Sequence, residues 1–278
     1  DEVVLGQSNG IAQWFKMVLA RSKNSGGLGI AAGVQVELPS RFLWRTYRRV
    51  LGEGAVLEES PYAKHRLTWR LMRLLPALAD APVMAPVARY LEHDRDGRKR
   101  HAFAARVADL FDQYQVYRAD WLSAWESGID ALPDPERGDG VLPVESLWQP
   151  FLWRAIQRDM AEEGRGWERV HRGAVHAAFL QAIAEAPDAP PPGFPPRIVV
   201  FGLSSLPQQT LEALAALGAW SEVILAVMNP CRHYWAEIIE DRELLQATRR
   251  RQALKRDMPA LPAYEELHQY AHPLLAAW

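Results

Sequence analysis

The chain has 278 residues, 49% of them hydrophobic and 24% charged, which is typical of a globular protein with one large domain or two modest ones. Its formal net charge of −2 excludes nucleic-acid binding over the whole surface, so any such contact has to be local. Cys231 is the only cysteine, which excludes an intrachain disulfide and a cysteine-rich zinc site, and no apolar run reaches the roughly 20 residues of a membrane span.

The N-terminal segment predicts strands alternating with helices. Glu2–Gly6 is a short apolar run that indicates a buried strand, and residues 34–38 indicate a second one. Residues 39–52 have Pro at the start and Gly at the end, as helices commonly do. Between the two strands, one apolar stripe at helical spacing predicts a helix that faces a core. Its members are Ile11, Trp14, Phe15, Val18 and Leu19.

The middle of the chain, from about residue 53 to residue 187, predicts helices. We place them near residues 62–75, 87–91, 101–125, 145–163 and 168–185. The proline-rich residues 187–196 predict a linker, because proline fits neither a helix interior nor a central strand. The long helix 101–125 is expected to pack through one stripe. That stripe comprises Phe103, Val107, Leu110, Phe111, Tyr114 and Tyr117 or Arg118.

After the linker the chain predicts a strand, a helix and a strand. Residues 197–203 and 221–230 are apolar runs typical of fully buried strands, and the short crossover between them implies parallel pairing. The sequence therefore predicts an α/β fold with a parallel-sheet core. Residues 1–52 and 196–278 would form the α/β domain, and residues 53–195 a helical insertion domain. The last stretch is expected to be a helix and an irregular tail, and the abrupt start and end indicate a piece of a longer protein.

The motifs of common enzymes do not occur in the sequence. No Lys follows a Gly, so the phosphate-binding loop GxxxxGK[ST] is missing, as are GxSxG, HExxH and GxGxxG. His171 and His176 are five residues apart, the wrong spacing for a metal pair on a helix. Cys231 has only His233 nearby as a base, and a plain buried thiol is favoured. We therefore expect no catalytic residue, no metal and no cofactor in this chain.

Two loops have the same order of strand, glycine, polar residues and helix start. They are residues 6–10 and 202–207, and in a parallel sheet such loops lie at the carboxyl edge, where ligands bind. The amides of Gln7, Asn9 and Gln13 are suited to contacts with base edges. The alternative is that Ser8 or Asn9 only caps the following helix, and for Ser8 capping is favoured.

Two helices carry further candidates, each with a structural alternative. Trp44 lies beside arginines on the helix 39–52, which is typical of a stacking platform for a single strand, or else of a Trp packed under the inserted helical domain with an Arg over its ring. On the long helix, Asp109, Asp112 and Gln113 lie together on one face at i, i+3 and i+4. The two carboxylates could hold a metal or accept from cytosine amino groups, although solvated surface charges are the default interpretation. The basic residues 95–100 and 249–251 could likewise track phosphates.

Several long strings, in the same order along the chain, resemble the exodeoxyribonuclease V gamma subunit (RecC) family, in its N-terminal region. They are QSNGIAQWFKMVLA, GIAAGVQVELPSRFLW, ADLFDQYQVYRADWLSAWE, FGLSSLP, NPCRHYW and HPLLAAW. The resemblance implies a fold similar to the first motor domain of a superfamily 1 helicase, without the ATP site. It implies a non-catalytic, cytoplasmic subunit of a helicase–nuclease complex in double-strand break repair and recombination.

The resemblance also implies partners and site residues. The partners would be single-stranded and forked DNA and the beta (RecB) and alpha (RecD) subunits, which would hold the ATP and Mg²⁺. The chain would form the tunnel that scans the 3′-ended strand for the Chi sequence. The implied DNA-binding and Chi-binding residues are Gln7, Asn9, Gln13, Leu38, Trp44, Asp109, Leu110, Asp112, Gln113, Arg118 and Arg172. Asn9 stands where better-known members carry Thr, which leaves the recognised sequence open.

The remaining alternative is a pure protein–protein scaffold that docks the beta-subunit motor and has no intrinsic DNA binding. Exposed Trp and Arg side chains would serve such docking equally well. The two functions differ in salt dependence, because strand binding falls steeply with salt and docking falls much less.

Overall fold

The computed structural model describes residues 2–133, 140–203 and 205–227, in which a parallel sheet is surrounded by helices. The strands are β1 (Glu2–Gly6), β2 (Val34–Glu37), β3 (Ala131–Leu132), β4 (Gly140–Val141), β5 (Arg197–Phe201) and β6 (Glu222–Ala226). The helices are α1 (Asn9–Ala20), α2 (Pro39–Leu51), α3 (Lys64–Leu78), α4 (Ala85–Leu91), α5 (Arg98–Tyr117), α6 (Ala119–Glu126), α7 (Trp148–Glu162), α8 (Arg172–Glu185) and α9 (Gln208–Leu217). The predicted α/β class with a parallel sheet is confirmed.

The four-stranded sheet has the order β2-β1-β5-β6, and every neighbouring pair is parallel. Leu5 is paired with Glu37 on one side of β1, and Gly6 with Phe201 on the other. From β1 the chain passes to β2 in one direction, and from β5 it passes to β6 in the other. The strand order therefore reverses between β1 and β5, and the loops that follow these two strands leave the same edge next to each other. Open α/β sheets bind ligands at such a point.

One face of the sheet packs against α2, α8 and α9. Val3 and Leu5 of β1 and Ile198 and Val200 of β5 alternate along their strands and point to this face. We call the core they form the sheet cluster; its helical members include Phe42, Leu43, Tyr47, Val175, Phe179, Ile183, Ala213, Leu214 and Leu217. Helix α8 therefore contributes to the sheet cluster although it lies inside the predicted insertion, residues 53–195. The division into two domains stays a prediction.

A second core, the helical cluster, is formed by side chains from α3 to α7. Its buried members include Tyr62, Leu67, Leu71, Leu75, Val107, Phe111, Leu122, Trp125, Leu152, Trp153 and Ile156. Trp125 and Trp153 are the largest of its fully buried side chains. A buried tryptophan needs an acceptor for its indole N–H. Trp125 donates to the carbonyl oxygen of Ala131 at 3.0 Å, and Trp153 donates to Glu126 Oε1 at 2.9 Å. At least these two of the 11 tryptophans in the chain thus serve packing.

The predicted helix 101–125 is two helices, because the backbone leaves helical geometry at Arg118 (φ −140°, ψ 48°). The Arg118 side chain is held by Asp120, by the carbonyl oxygen of Pro133 and over the ring of Trp121. Of the two residues predicted for the end of the packing stripe, Tyr117 is 65% exposed and was wrong, whereas the Arg118 side chain is 30% exposed and packs over Trp121. Gln115, which was not predicted, is completely buried. Of the Arg118 contacts only the one with Pro133 is distant in sequence, and the helical pattern alone did not reveal the break.

Two other predictions of burial were wrong. Strand β6 lies at the sheet edge, where Ile224 is 39% and Leu225 is 51% exposed, although its continuous apolar run predicted a fully buried strand. On α1, Trp14 is 50% exposed, and its ring stacks on Phe201 with centroids 6.2 Å apart. Cys231, the helix expected after it and the tail lie outside the described residues.

Among the described helices, none is by itself long and apolar enough to cross a membrane. One pair, Lys64–Leu78 with Pro82–Leu91, meets that test by length and composition only, and it is bent by 119°.

Candidate functional site

The first group of predicted site residues lies where strands β1 and β2 end. Gln7 directly follows β1, and Leu38 directly follows β2 as the residue before α2. Gln7 and Asn9 are exposed, and Leu38 is half-buried. Gln13 is exposed in the second turn of α1, one turn away from the edge. Parallel topology therefore brings Gln7, Asn9 and Leu38 to one edge of the sheet, with Gln13 behind them.

Ser8 caps helix α1. Its Oγ accepts a hydrogen bond from the backbone N–H of Ile11 at 3.2 Å, and its backbone is extended, as at an N-cap. Capping, the favoured interpretation for Ser8, is confirmed. Asn9 is the first helical residue and keeps an exposed side chain, so its amide is accessible to a ligand at this edge.

Trp44 is half-buried on α2 and held in one orientation. Its Nε1–H donates to the carbonyl oxygens of Leu57 (3.1 Å) and Glu58 (2.9 Å), and its ring meets Tyr47 edge-on with centroids 6.4 Å apart. Within the described residues no guanidinium lies over the indole; Arg45 instead lies over Phe42, 5.9 Å from its centroid. Within the described residues the Arg over the ring is thus missing, but the other part of the alternative is met, because Leu57 and Glu58 belong to the predicted insertion. The role of Trp44 in stacking stays a prediction.

Part of Trp44 faces a cavity of about 250 Å³, which we call the Trp44 cavity. Four helices contribute to its wall, and the wall includes Arg41, Trp44, Tyr47, Val116, Arg172 and Gln209. Two arginines and an oriented indole thus line one concave surface. Stacking rings beside guanidinium groups are what single-stranded nucleic acid requires of a protein surface.

Asp112 and Arg172 form the link between the long helix α5 and this cavity. Arg172 Nη2 lies 3.5 Å from Asp112 Oδ1, close enough for an ion pair but without the alignment of a hydrogen bond. The Asp112 side chain is 30% exposed and the Arg172 side chain 39%, so solvent screens the pair only in part. The carboxylate is thereby set against a cation and not left alone at the cavity.

Asp109 lies farther back on the same helix and is occupied by cations. Its carboxylate pairs with Lys64 Nζ at 2.6 Å and with Arg106 at 3.6 Å, and the hydrogen bond from Lys64 is the main cause that lowers the pKa of Asp109. Gln113 Nε2 is 3.5 Å from the other carboxylate oxygen. Leu110, on the same stretch, is half-buried. Within residues 2–133, 140–203 and 205–227, no cluster of three or more His, Cys, Asp or Glu is arranged to hold a metal ion.

Arg118 lies in a second and larger cavity, of about 510 Å³, which we call the polar cavity. Its guanidinium donates to both carboxylate oxygens of Asp120, at 3.2 and 2.9 Å, and lies 4.2 Å from the centroid of the Trp121 ring. The polar cavity shares Val116 and Gln209 with the Trp44 cavity, so the two spaces adjoin. The structure therefore brings Trp44, Arg118 and Arg172 to two neighbouring cavities, and Asp112 is connected to them through its ion pair with Arg172.

Gln115 is a positioning residue that the sequence interpretation missed. Its Oε1 accepts the backbone N–H of Arg172 at 3.1 Å, and its own carbonyl oxygen accepts from Gln209 Nε2 at 3.0 Å. It therefore holds α5, α8 and α9 together beneath both cavities. A signal was present, since Gln115 follows Phe111 by four residues and a polar side chain on a packing stripe needs buried partners.

His171 joins helix α8 to the helical cluster. Its Nδ1 accepts the backbone N–H of Ala174 at 3.3 Å, which caps α8, and its Nε2 lies 3.1 Å from Glu126 Oε1. Burial acts to raise the pKa of Glu126, but hydrogen bonds and charge from His171, with a further bond from Trp153, outweigh it and lower the pKa.

A chain of three polar side chains crosses α2, α8 and α9. The Tyr47 hydroxyl is 2.9 Å from His176 Nδ1, and His176 Nε2 is 3.0 Å from Glu212 Oε2. The hydrogen bond from His176 is the main cause that lowers the pKa of Glu212, while burial is the main cause that raises the pKa of Tyr47. Both ring nitrogens of His176 thus have a hydrogen-bonding partner in the wall beneath the two cavities.

Comparison with known proteins gives one consistent result. The family model described as RecC, N-terminal domain, matches residues 1–278. The RecBCD enzyme subunit RecC of Escherichia coli (strain K12) is 35% identical over 291 residues, covering 100% of this chain and 24% of that protein. The Haemophilus influenzae and Mycolicibacterium smegmatis proteins of the same name are 31% and 25% identical, over 100% and 99% of this chain and 26% and 21% of theirs. The chain thus spans about a quarter of the length of these curated relatives.

Proposed function

This chain belongs to the RecC N-terminal domain family, and on that basis we propose that it is a non-catalytic, DNA-binding part of the exodeoxyribonuclease V (RecBCD) helicase–nuclease. The relatives it matches are subunits of the RecBCD enzyme by name. The proposed setting is cytoplasmic double-strand break repair and recombination. Beta (RecB) and alpha (RecD) subunits are the proposed partners, and ATP and Mg²⁺ would act in them.

The observation that carries the DNA-binding proposal is the Trp44 cavity. An indole held by two hydrogen bonds at its edge offers a ring that is already oriented, so little side-chain freedom is lost when a base stacks on it. Arg41 lines the same cavity and supplies positive charge for a phosphate, while Arg172, which also lines it, has its charge balanced by Asp112. Stacking and charge would together hold a single strand without regard to its sequence.

Specificity would come from the polar residues around that strand, which in this proposal is the 3′-ended strand scanned for Chi in a tunnel. Amides of Gln7, Asn9 and Gln13 at the edge of the sheet are suited to adenine, which presents a donor and an acceptor side by side. Leu38 and Leu110 would give apolar contacts to bases. The sequence recognised remains open because Asn9 replaces a hydroxyl by an amide.

Asp112 needs a separate explanation, because a carboxylate repels the phosphates of a strand. Its pairing with Arg172 at 3.5 Å reduces that repulsion, and the Asp112 Oδ1 atom, which is buried and has no hydrogen bond among the described residues, would accept from a base amino group only after the cover over it moves aside. Asp109 and Gln113 form a similar pair of acceptor and amide one turn away, with Lys64 balancing the charge. The acidic residues would then read bases while their cations protect the strand from repulsion.

Protein docking is the second candidate function, supported by exposed apolar side chains away from the two cavities. Trp14 and Met17 on α1 are 50% and 61% exposed, and Leu225 on the edge strand is 51% exposed. Apolar surface of this kind is typical of protein interfaces. A scaffold that docks the beta-subunit motor would use it and would need no intrinsic affinity for DNA.

Fluorescence anisotropy with a labelled single-stranded oligonucleotide, across a salt series, separates the two functions. The full chain, with any subunits that copurify, is compared with Trp44→Ala, Trp44→Phe and the control Trp69→Ala, which alters a 65% exposed tryptophan on α3. We expect salt-sensitive binding, weakened by about 1–3 kcal/mol in Trp44→Ala. Trp44→Phe retains a stacking ring and should lose much less, and Trp69→Ala should bind like the wild type.

Two results would count against strand binding. Wild-type protein that fails to bind at low salt would favour the docking scaffold. Equal losses of affinity in Trp44→Ala and Trp69→Ala would mean that the strand does not bind at the Trp44 cavity. Circular dichroism of each variant is needed beside the titrations, because Trp44 also packs against the sheet cluster.

A further inference from the structure

The polar cavity has a composition that strand binding through the Trp44 cavity does not require. Its wall includes Tyr117, Arg118, Asp120, Glu126, Gln208 and Glu212. A volume of about 510 Å³ is within the range of small-ligand sites and exceeds that of the Trp44 cavity beside it. Because Val116 and Gln209 belong to both walls, the polar cavity adjoins the Trp44 cavity and lies beside any strand bound there.

The ring of Tyr117 lies in the wall of this cavity and packs against no other ring among the described residues. Tyr117 is 65% exposed, and it stacks on no aromatic ring and lies under no cation within the described part of the chain. The neighbouring Tyr114, by contrast, packs edge-on against both Trp121 and Trp125. An exposed tyrosine at the end of a helix provides a flat surface on which a base can stack.

The charges inside the cavity favour groups that donate hydrogen bonds. Glu212 Oε2 lies 3.0 Å from His176 Nε2, and Glu212 Oε1 accepts a hydrogen bond from Gln208 Nε2 at 2.8 Å. Each carboxylate oxygen can accept a second hydrogen bond. The Arg118 guanidinium is already occupied by Asp120. A phosphate would meet net negative charge here, whereas the amino group of a base would meet an acceptor held in place by a histidine.

We propose that the polar cavity receives one unstacked base of the bound single strand, with Tyr117 as its stacking surface and Glu212 as the acceptor for its amino group. This inference rests on the strand binding proposed above. Cytosine, adenine and guanine carry such an amino group, and carboxylates accept from cytosine N4 in direct readout. Thymine presents a single N–H between two carbonyl oxygens, and these oxygens face the carboxylate. The cavity therefore selects against thymine at one position of the strand.

The test uses two labelled oligonucleotides, an all-thymine strand and the same strand with one central cytosine, and the full chain with any subunits that copurify. Wild-type protein should bind the cytosine-containing strand about 5-fold or more tightly, the lower end of a single-base discrimination. Glu212→Gln keeps an acceptor for His176 and adds an N–H₂ donor that thymine O4 can accept, so the preference should disappear. Tyr117→Ala should weaken both strands by a similar factor, and Tyr117→Phe should bind like wild type.

Glu185→Gln, at the exposed end of α8 away from the cavity, is the matched control and should keep the full preference. Equal binding of the two strands by wild type, or a preference that survives in Glu212→Gln, would overturn the inference. If the all-thymine strand still binds in a salt-sensitive way that depends on Trp44, strand binding stands and only the base pocket fails. If neither strand binds, the proposed function fails with it. Tyr117 is a surface residue, so its variants report on the pocket even if Glu212→Gln folds poorly.

Discussion

The side-chain Oε1 of Gln115 accepts a hydrogen bond from the backbone N–H of Arg172, with 3.1 Å between the two atoms. Gln115 is completely buried, and its Nε2 donates to the carbonyl oxygen of Phe111 at 3.2 Å. Arg172 is the first residue of α8, where the backbone N–H has no partner inside the helix. The glutamine therefore supplies a partner to a helix end and fixes the position of an arginine that lines the Trp44 cavity.

Replacing Gln115 by leucine should lower the free energy of unfolding by about 1–3 kcal/mol, because the N–H of Arg172 loses its acceptor in a partly buried place. Urea denaturation followed by circular dichroism measures the change. Gln113→Leu, two residues away on the exposed side of the same helix, is the matched control and should stay within about 0.5 kcal/mol of wild type. Equal losses in the two variants would mean that the buried bond is not what stabilises this site.

The fold was predictable where local signals determine it. The strands β1 and β5 have short apolar runs, α2 has its Pro and Gly boundaries, and the loops after β1 and β5 do leave one edge of the sheet. The break at Arg118 was not predicted, because the apolar spacing continues through it and the contact of Arg118 with the carbonyl oxygen of Pro133 is distant in sequence. The exposure of β6 was missed for a similar reason, since an apolar run cannot tell an edge strand from a central one.

The candidate site was predictable as a set of residue types and much less as an arrangement. Trp44 was recognised among its arginines, but its two hydrogen bonds reach Leu57 and Glu58, which no spacing on the helix indicates. Asp109 and Asp112 were placed together on one face of a helix, and the structure gives them different cations, Lys64 and Arg172. Partners that are remote in sequence decide what each polar side chain can do.

A close contact at Gly173 should make this position intolerant of a side chain. A Cβ built there would lie 2.8 Å from the Cβ of Ala119, at the start of α6, and 3.4 Å from the ring of His171. Gly173→Ala should therefore destabilise the protein by about 1–3 kcal/mol through overpacking, measured by urea denaturation. Ala119→Gly removes the opposing methyl group. The double variant should then be more stable than the sum of the two single changes predicts, and simple additivity would contradict the contact.

An ion-pair cluster between α3 and α7 should be far more sensitive than a surface pair. Arg70 pairs with Asp159, with side chains 12% and 10% exposed, and Arg73 joins the same carboxylate at 2.6 Å. Asp159→Ala should cost about 2–3 kcal/mol, somewhat below the usual value for a broken buried pair because Arg70 keeps Glu163 at 2.7 Å.

The matched control is Glu59→Ala, which removes a carboxylate 50% exposed and paired with Arg66 at 2.7 Å. This change should cost less than about 1 kcal/mol, as exposed pairs do. Chemical denaturation of the two variants side by side checks the difference. A loss of similar size in both would show that burial does not set the strength of the Asp159 cluster.

The carboxylate of Glu212 should make part of the stability depend on pH in the acid range. The hydrogen bond from His176 lowers the pKa of Glu212 below its ordinary value of 4.5, so below that pH the unfolded chain binds a proton that the folded protein refuses. By linkage this contribution is complete above about pH 5 and is lost as the pH falls through the folded-state pKa. Glu212→Gln cannot titrate, so its free energy of unfolding should fall less steeply below pH 4.5 than that of wild type. Glu126→Gln should flatten the acid limb in the same sense, because His171 and Trp153 lower the pKa of Glu126 despite its burial. Urea denaturation at half-unit intervals from pH 3 to pH 7 measures these slopes, and curves that stay parallel down to pH 3 would contradict the pairing of Glu212 with His176.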